Sequence, residues 1–296
     1  MSARLRGIAA ETERIVAAGR YRAPDGREVP IAEAVEAARA GTRTFGPDPV
    51  PVPFASDPSA PGPSDAGLPG AGPSGAAPEG GTRFEVTGES SLEAARRLAD
   101  GPVAVLNFAS ARNPGGGYLN GAQAQEEALC RASALHACLL TARGCYDHHR
   151  ADRDPFYTDR VIHSPGVPVF RDDRGRLLTK PYRAGFLTAA APNAGVIRRT
   201  APERAAALPG ALAVRAERVL ETAAAHGYRR LVLGAWGCGV FQNDPARVAG
   251  AFRAALGPGG RFARAFDHVV FGVLDRTPGA VVREAFVRAF PEARAA

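Results

Sequence analysis

Two short stretches of this chain bring together residue types able to do chemistry. The first, NFASARNPGGGYLNGAQAQEEALCRASAL, runs from Asn107 to Leu135. It holds three successive glycines, Gly115, Gly116 and Gly117, and seven residues later Gln125, Glu126 and Glu127. Glycines in a row let a backbone approach a ligand with no Cβ in the way, and their N–H groups can converge on anionic or hydroxyl oxygens. Adjacent helical residues differ in direction by roughly 100°, so the two carboxylates cannot meet one ligand in the same way. A division of labour is expected, one gripping hydroxyls and the other transferring a proton. A helix N-terminus favours the ionised carboxylate, so a proton donor placed here needs burial and repulsion from its neighbour or from ligand phosphates.

The second stretch, LVLGAWGCGVFQNDPARV, runs from Leu231 to Val248 and carries Gly234, Gly237 and Gly239. Asn243 or Asp244 is a plausible N-cap, with Pro245 at the first helical position. Strand, glycine-rich turn and helix N-terminus make an anion site suited to a diphosphate. No Gly-Lys-Ser/Thr follows, so this is not a P-loop, and it lacks the dinucleotide-binding fingerprint. Phe241 either covers a ribose or base or plugs into the core.

The elements that must position these loops alternate along the chain. Apolar β-like runs fall at 84–87, 103–109, 161–163, 185–190, 230–235 and 268–274, and helical runs at 91–99, 124–142, 203–226, 245–256 and 280–289. Such alternation implies an α/β fold, a layered domain with helices on both faces of the sheet. Several runs are near-continuously apolar, as buried central strands are. Two amphipathic helices at 3–18 and 31–40 come first. A Pro/Gly/Ser/Ala-rich stretch at 46–82 has too little apolar surface to offset its ordering entropy. Three segments result: an N-terminal helical part at 1–45, a flexible linker or insert at 46–82, and the main domain at 83–296.

The net charge of +7 permits an anionic ligand without requiring one, because nearly all of it is Arg (Lys180 is the only Lys) in a composition rich in Ala, Gly and Pro. The N-terminus has no apolar signal region and no run approaches the roughly 20 apolar residues of a membrane span, so a soluble cytoplasmic protein with no membrane partner is expected. Cys130, Cys138, Cys145 and Cys238 show no metal-binding spacing. The first three recur as on one helical face and suit core positions, and Cys238 has no evident base. His148–His149 is expected at the surface, His163 and His268 lack evident partners, and RDDRGR at 171–176 reads as a solvated hairpin tip.

Taken together, the Gly-Gly-Gly to Gln-Glu-Glu spacing and the later GAWGCGVFQND loop resemble the poly(ADP-ribose) glycohydrolase family, specifically its compact bacterial type. The resemblance covers roughly Arg83 to the C-terminus, and the N-terminal helices resemble the accessory segment of bacterial members. It implies a macrodomain-like mixed sheet between helices, with 83–296 as the catalytic domain. It also implies hydrolysis of the ribose–ribose bonds of poly(ADP-ribose), or of ADP-ribosylated proteins, with release of ADP-ribose. By position, Glu127 would be the general acid and then the base for water, while Glu126 would hold ribose hydroxyls with Gln125 alongside. Asn113 would orient that ribose and Gly115, Gly116 and Gly117 would wrap it. Gly237, Cys238, Gly239 and Val240 would bind the diphosphate, Phe241 would lie beside the distal ribose, and Glu89 would grip adenine. No cofactor or metal is implied, and a monomer is expected.

Other readings stay open at this level. A macrodomain that only binds ADP-ribose would keep the glycine loops but has no need of adjacent glutamates. The same fold allows hydrolysis of a mono-ADP-ribose linkage. Specific nucleic-acid binding is not expected, since the basic residues are not interleaved with aromatics in a run.

Overall fold

The computed structural model describes residues 2–52 and 81–295. Helix α1 (Ala3–Ala18) leads into a hairpin of β1 (Arg20–Arg22) and β2 (Glu28–Pro30), then helix α2 (Ala32–Gly41) and strand β3 (Arg43–Phe45). Beyond the Pro/Gly-rich stretch come β4 (Arg83–Thr87), α3 (Ser91–Arg97) and β5 (Val103–Phe108). Three short helices follow, α4 (Gln125–Ala132), α5 (Leu135–Leu139) and α6 (Arg143–Ala151), and then a long hairpin of β6 (Val161–Arg171) and β7 (Leu177–Ala189). The rest comprises α7 (Ala194–Thr200), α8 (Leu208–Ala225), β8 (Arg230–Leu233), α9 (Pro245–Leu256), β9 (His268–Gly272), α10 (Val281–Ala289) and β10 (Arg294–Ala295).

Eight strands form one mixed sheet in the order β10-β4-β9-β8-β5-β7-β6-β3. From β10 to β7 every neighbouring pair is parallel, and β6 is antiparallel to both β7 and β3. Side chains alternate between two apolar layers, as the period of a strand requires. Val103, Val105, Phe186, Val232 and Val270 pack with α1 to α6 on one face. Ala104, Leu106, Leu187, Leu231, Leu233, Val269 and Phe271 pack with α8, α9 and α10 on the other. Burial on both faces explains the near-continuous apolar runs. The expected α/β sandwich is present.

The N-terminal helices are not a separate packing unit. Ala9, Ile15, Val35 and Ala38 lie in the same core layer as Leu129 and Val169, and β3 pairs with β6 in the main sheet. Most of the expected linker, residues 53–80, lies outside the described residues. Just before it, the Val50 N–H donates to Glu221 Oε2 at 3.0 Å.

Several local expectations are corrected. The helix expected at 124–142 breaks at Ser133, whose backbone is extended. Its hydroxyl donates to Leu129 O at 2.7 Å and accepts from Leu135 N at 3.2 Å, closing α4 and starting α5. Cys130, Cys138 and Cys145 therefore sit on three helices rather than one face, although all are buried in one core layer. The helix expected at 203–226 begins with a 3-10 turn, Pro202–Ala207. Strands β6 and β7 extend far beyond 161–163 and 185–190, because register shifts between Ser164 and Val167 absorb Pro165 and Gly166. Arg171, expected at a solvated tip, is buried and pairs with Glu11 at 2.9 Å.

Candidate active site

Strands β8, β5 and β7 are parallel neighbours, so their carboxyl ends open on one edge of the sheet. From β5 the chain crosses through α4 towards β7, whereas from β8 it crosses through α9 to β9, on the opposite side. A crevice forms where successive connections leave in opposite directions. The two glycine-rich loops follow the carboxyl ends of β5 and β8, on either side of this point.

The loop after β5 wraps the start of α4. Gly115 and Gly116 have φ of +69° and +58°, values that favour glycine. A Cβ on Gly116 would lie 2.5 Å from Glu127 Oε1 and 3.1 Å from Glu126 Oε2, so any side chain there would displace the Glu127 carboxylate. Both carboxylates are buried, 2% exposed for Glu126 and 7% for Glu127. Glu126 Oε2 accepts the Ser110 N–H at 2.7 Å, and Oε1 accepts Asn107 Nδ2 at 3.3 Å. Burial pushes the Glu126 carboxyl up to about 8; the Glu127 charge adds to this, and the Ser110, Asn107 and Gly115 donors oppose it. Glu127 is held differently. Its Oε1 accepts the Gly117 N–H at 2.9 Å, and its Oε2 is buried with no partner among the described residues.

Gln125 turns to the protein. Its Oε1 accepts the Phe108 N–H at 2.9 Å, and its Nε2 donates to Leu106 O at 2.8 Å and Ser91 Oγ at 3.0 Å. It therefore ties the end of β5 to the start of α4. The Asn113 carbonyl accepts the Gly116 N–H at 2.9 Å, and its side chain is exposed.

The loop after β8 is braced by Asn243, whose Nδ2 donates to Pro192 O at 2.8 Å and Gly237 O at 3.2 Å. Trp236 Nε1 donates to Ala189 O at 2.9 Å, which fastens the same loop to the end of β7. Asp244 rather than Asn243 caps α9, accepting the Ala246 N–H at 2.9 Å. The N–H groups of Gly239, Val240 and Phe241 find no acceptor among the described residues, and Val240 is 81% exposed. Burial pushes the Cys238 thiol up to about 12, so it is no nucleophile near neutrality.

Phe241 faces Tyr157 with ring centroids 5.8 Å apart, and the Arg112 guanidinium lies 5.7 Å from the Tyr157 ring. Tyr157 thus links the two loops, and its φ of +58° is rare for a bulky residue. Glu89 lies after β4, with its carboxylate oxygens 3.0 and 2.7 Å from Arg97. Asn107, Ser110, Tyr157 and the bracing role of Asn243 were missed in the sequence. Only Asn107 carried a signal, as a lone amide ending an apolar strand.

Three histidines expected to be bland are engaged. His149 is buried, its Nδ1–H donating to Ala111 O at 3.2 Å and its Nε2 accepting from Thr158 Oγ1 at 2.7 Å; burial lowers it to about 4. His163 meets the Tyr228 hydroxyl at 3.0 Å, and His268 meets Glu85 Oε1 at 3.0 Å. Among the described residues no group of three or more His, Cys, Asp or Glu is placed to hold a metal ion.

With this geometry in view, residues 9–172 match the family model described as microbial-type PARG, catalytic domain. The chain belongs to this family. Among solved structures, it is 50% identical to the poly(ADP-ribose) glycohydrolase of Thermomonospora curvata, with a TM-score of 0.84 over 98% of this chain and 100% of that one. The same protein bound to the inhibitor ADP-HPD gives 48% identity and a TM-score of 0.82, over the same shares of the two chains. The Deinococcus radiodurans poly(ADP-ribose) glycohydrolase in complex with ADP-ribose gives 41% identity and a TM-score of 0.72, over 86% of this chain and 96% of that one. No curated protein matches the chain. These glycohydrolases share the macrodomain-like arrangement of sheet and helices described above.

Proposed function

We propose that this chain is a poly(ADP-ribose) glycohydrolase that releases ADP-ribose from the polymer with Glu127 as proton donor. The observation that carries the assignment is the contrast between the two carboxylates. Glu126 accepts protein donors at both oxygens, whereas Glu127 is anchored by one and keeps Oε2 buried and unpartnered. A buried polar atom without a partner is costly, so a ligand proton or hydroxyl is the natural complement of Oε2.

In this reading the ribose of the scissile bond lies over Gly115–Gly117, with its hydroxyls on Glu126. The diphosphate takes the free N–H groups of Gly239 and Val240, and Phe241 flanks the distal ribose. With its carboxylate on Arg97, Glu89 can take an adenine amine only in exchange for that pair. Glu127 Oε2 delivers a proton to the departing ribose oxygen as the glycosidic C–O bond breaks, leaving an oxocarbenium-like centre. Water then attacks that carbon, its proton returns to Glu127, and the products are ADP-ribose and a polymer shortened by one hydroxyl-terminated unit. The chemistry is general acid/base and needs no metal ion in this reading. We further propose that the protein is a monomer acting in the cytoplasm.

The test is incubation of the wild type and Glu127→Gln with automodified poly(ADP-ribose), following free ADP-ribose by chromatography. The expected result is release by the wild type, and by Glu127→Gln a rate lower by roughly 10²–10⁴-fold with polymer still bound. A wild type that binds ADP-ribose but releases none would mean a reader rather than an enzyme.

A further inference from the structure

Beneath the catalytic glycine loop, three side chains from two parts of the chain meet at one oxygen. Glu13, on α1, places Oε1 at 3.0 Å from the Tyr118 hydroxyl and 3.1 Å from His136 Nδ1. Tyr118 directly follows Gly117, is 1% exposed, and also approaches Ala9 O at 3.2 Å. Its ring lies 5.0 Å from that of His136. His136 fits tightly under the loop, since a Cβ on Gly115 would come within 3.1 Å of its Cδ2. The loop's floor is therefore Tyr118 at one end and His136 at the other, and Glu13 joins them.

The Gly117 N–H that orients Glu127 is one residue from Tyr118. Tyr118 is also tied back to the glycine loop, its N–H donating to Gly115 O at 3.0 Å, so its buried side chain anchors the loop directly beside Gly117. Helix α1 has other attachments nearby. Ser2 N donates to Gly121 O at 3.2 Å, Thr12 Oγ1 donates to Arg131 O at 2.8 Å, and Glu11 pairs with Arg171. The helix can stay docked without Glu13, so the Glu13 contacts are not what attaches it.

We propose that Glu13 is a positioning residue for the catalytic loop, through which the N-terminal helix holds Gly117, and so Glu127, in register. This rests on Glu127 being the proton donor. Glu13 touches no reacting atom; it acts through Tyr118 and His136.

Both donors meet the same oxygen of Glu13, so Gln can accept them and Ala cannot. The experiment measures kcat on poly(ADP-ribose), the Kd for ADP-ribose and the melting temperature for the wild type, Glu13→Ala, Glu13→Gln, Tyr118→Phe and the Glu13→Ala/Tyr118→Phe double variant. Expected is a kcat lower by on the order of tenfold or more in Glu13→Ala and Tyr118→Phe, since small misplacement of a catalytic group has effects of that size. The Kd should stay within about twofold, the signature of an interaction that matters only in the transition state. Glu13→Gln should restore most of the rate, and the double variant should be no worse than either single one. Tyr118→Phe removes one oxygen only and keeps the test open should Glu13→Ala fold poorly. Unchanged kcat in Glu13→Ala, or a loss that tracks Kd or melting temperature, overturns the positioning role while the glycohydrolase reading stands. A wild type that releases no ADP-ribose overturns both.

Discussion

The backbone N–H of Gly117 donates to Oε1 of Glu127 at 2.9 Å, so the glycine loop holds one oxygen of that carboxylate in place. Its other oxygen, Oε2, is buried and has no partner among the described residues. The neighbouring Gly116 lies against both carboxylates, since a Cβ there would stand 2.5 Å from Glu127 Oε1 and 3.1 Å from Glu126 Oε2. Loop and dyad are therefore one structural unit, and disturbing either should be read out in the other.

Gly116→Ala tests this unit most directly. At φ +58° a Cβ costs about 1–2 kcal/mol of backbone strain. It would also stand 2.5 Å from Glu127 Oε1, so the carboxylate must turn. A kcat reduced on the order of tenfold to a hundredfold is expected, measured on polymer alongside urea denaturation. Full activity with only the strain penalty would show that the Glu127 orientation does not depend on the loop.

Asn243→Ala should act on binding instead. Removing its amide frees Pro192 O and Gly237 O, and the turn that presents the N–H groups of Gly239 and Val240 loses its brace. Titration calorimetry with ADP-ribose should show Kd weakened on the order of tenfold, equivalent to about 1.4 kcal/mol. An unchanged Kd would remove this loop from the diphosphate site.

Much of the fold was legible because β5, β8 and β9 are buried on both faces and read as apolar runs. Strands β6 and β7 were not, since Pro165, Gly166, Pro168 and Pro181 interrupt their apolar pattern, and bulges take up Pro165 and Gly166. The break at Ser133 depends on one hydroxyl bonding locally, a choice that helical periodicity does not reveal. In the site, the glycine triplet and the two glutamates were legible because they lie close in sequence. His163 and His268 looked partnerless because Tyr228 and Glu85 are 65 and 183 residues away. Tyr157 joins the two loops from a third segment, and no local pattern announces it.

Gln125 should matter to the fold beside the two glutamates through its protein contacts. It accepts the Phe108 N–H and donates to Leu106 O and Ser91 Oγ. Gln125→Ala leaves the Phe108 N–H and the Leu106 carbonyl without that partner, a loss of about 1–3 kcal/mol. Gln125→Glu cannot donate to Leu106 O and should also destabilise. Denaturant midpoints check both variants, and an unaffected Gln125→Ala would mean that water replaces the amide.

Glu126 should leave a signature in the pH dependence of stability. Its ordinary value is 4.5, and burial raises it to about 8 in the folded protein. Between those values the folded state keeps a proton that the unfolded chain has released, so stability falls as pH rises. The contribution is complete below about pH 4.5 and is lost on approaching pH 8. Glu126→Gln stays neutral throughout and cannot lose it. The melting temperature of Glu126→Gln minus that of the wild type should therefore grow between acid and mildly alkaline pH, by on the order of a few degrees for a chain of this size. The difference cancels the titration of His149 and His163, which are buried neutral and act in the opposite sense, losing stability as pH falls. A difference that stays flat across the range would mean that Glu126 is ionised in the folded protein. Its donors Ser110 and Asn107 would then outweigh burial, and its carboxylate charge would stand beside the proposed donor Glu127 near neutrality.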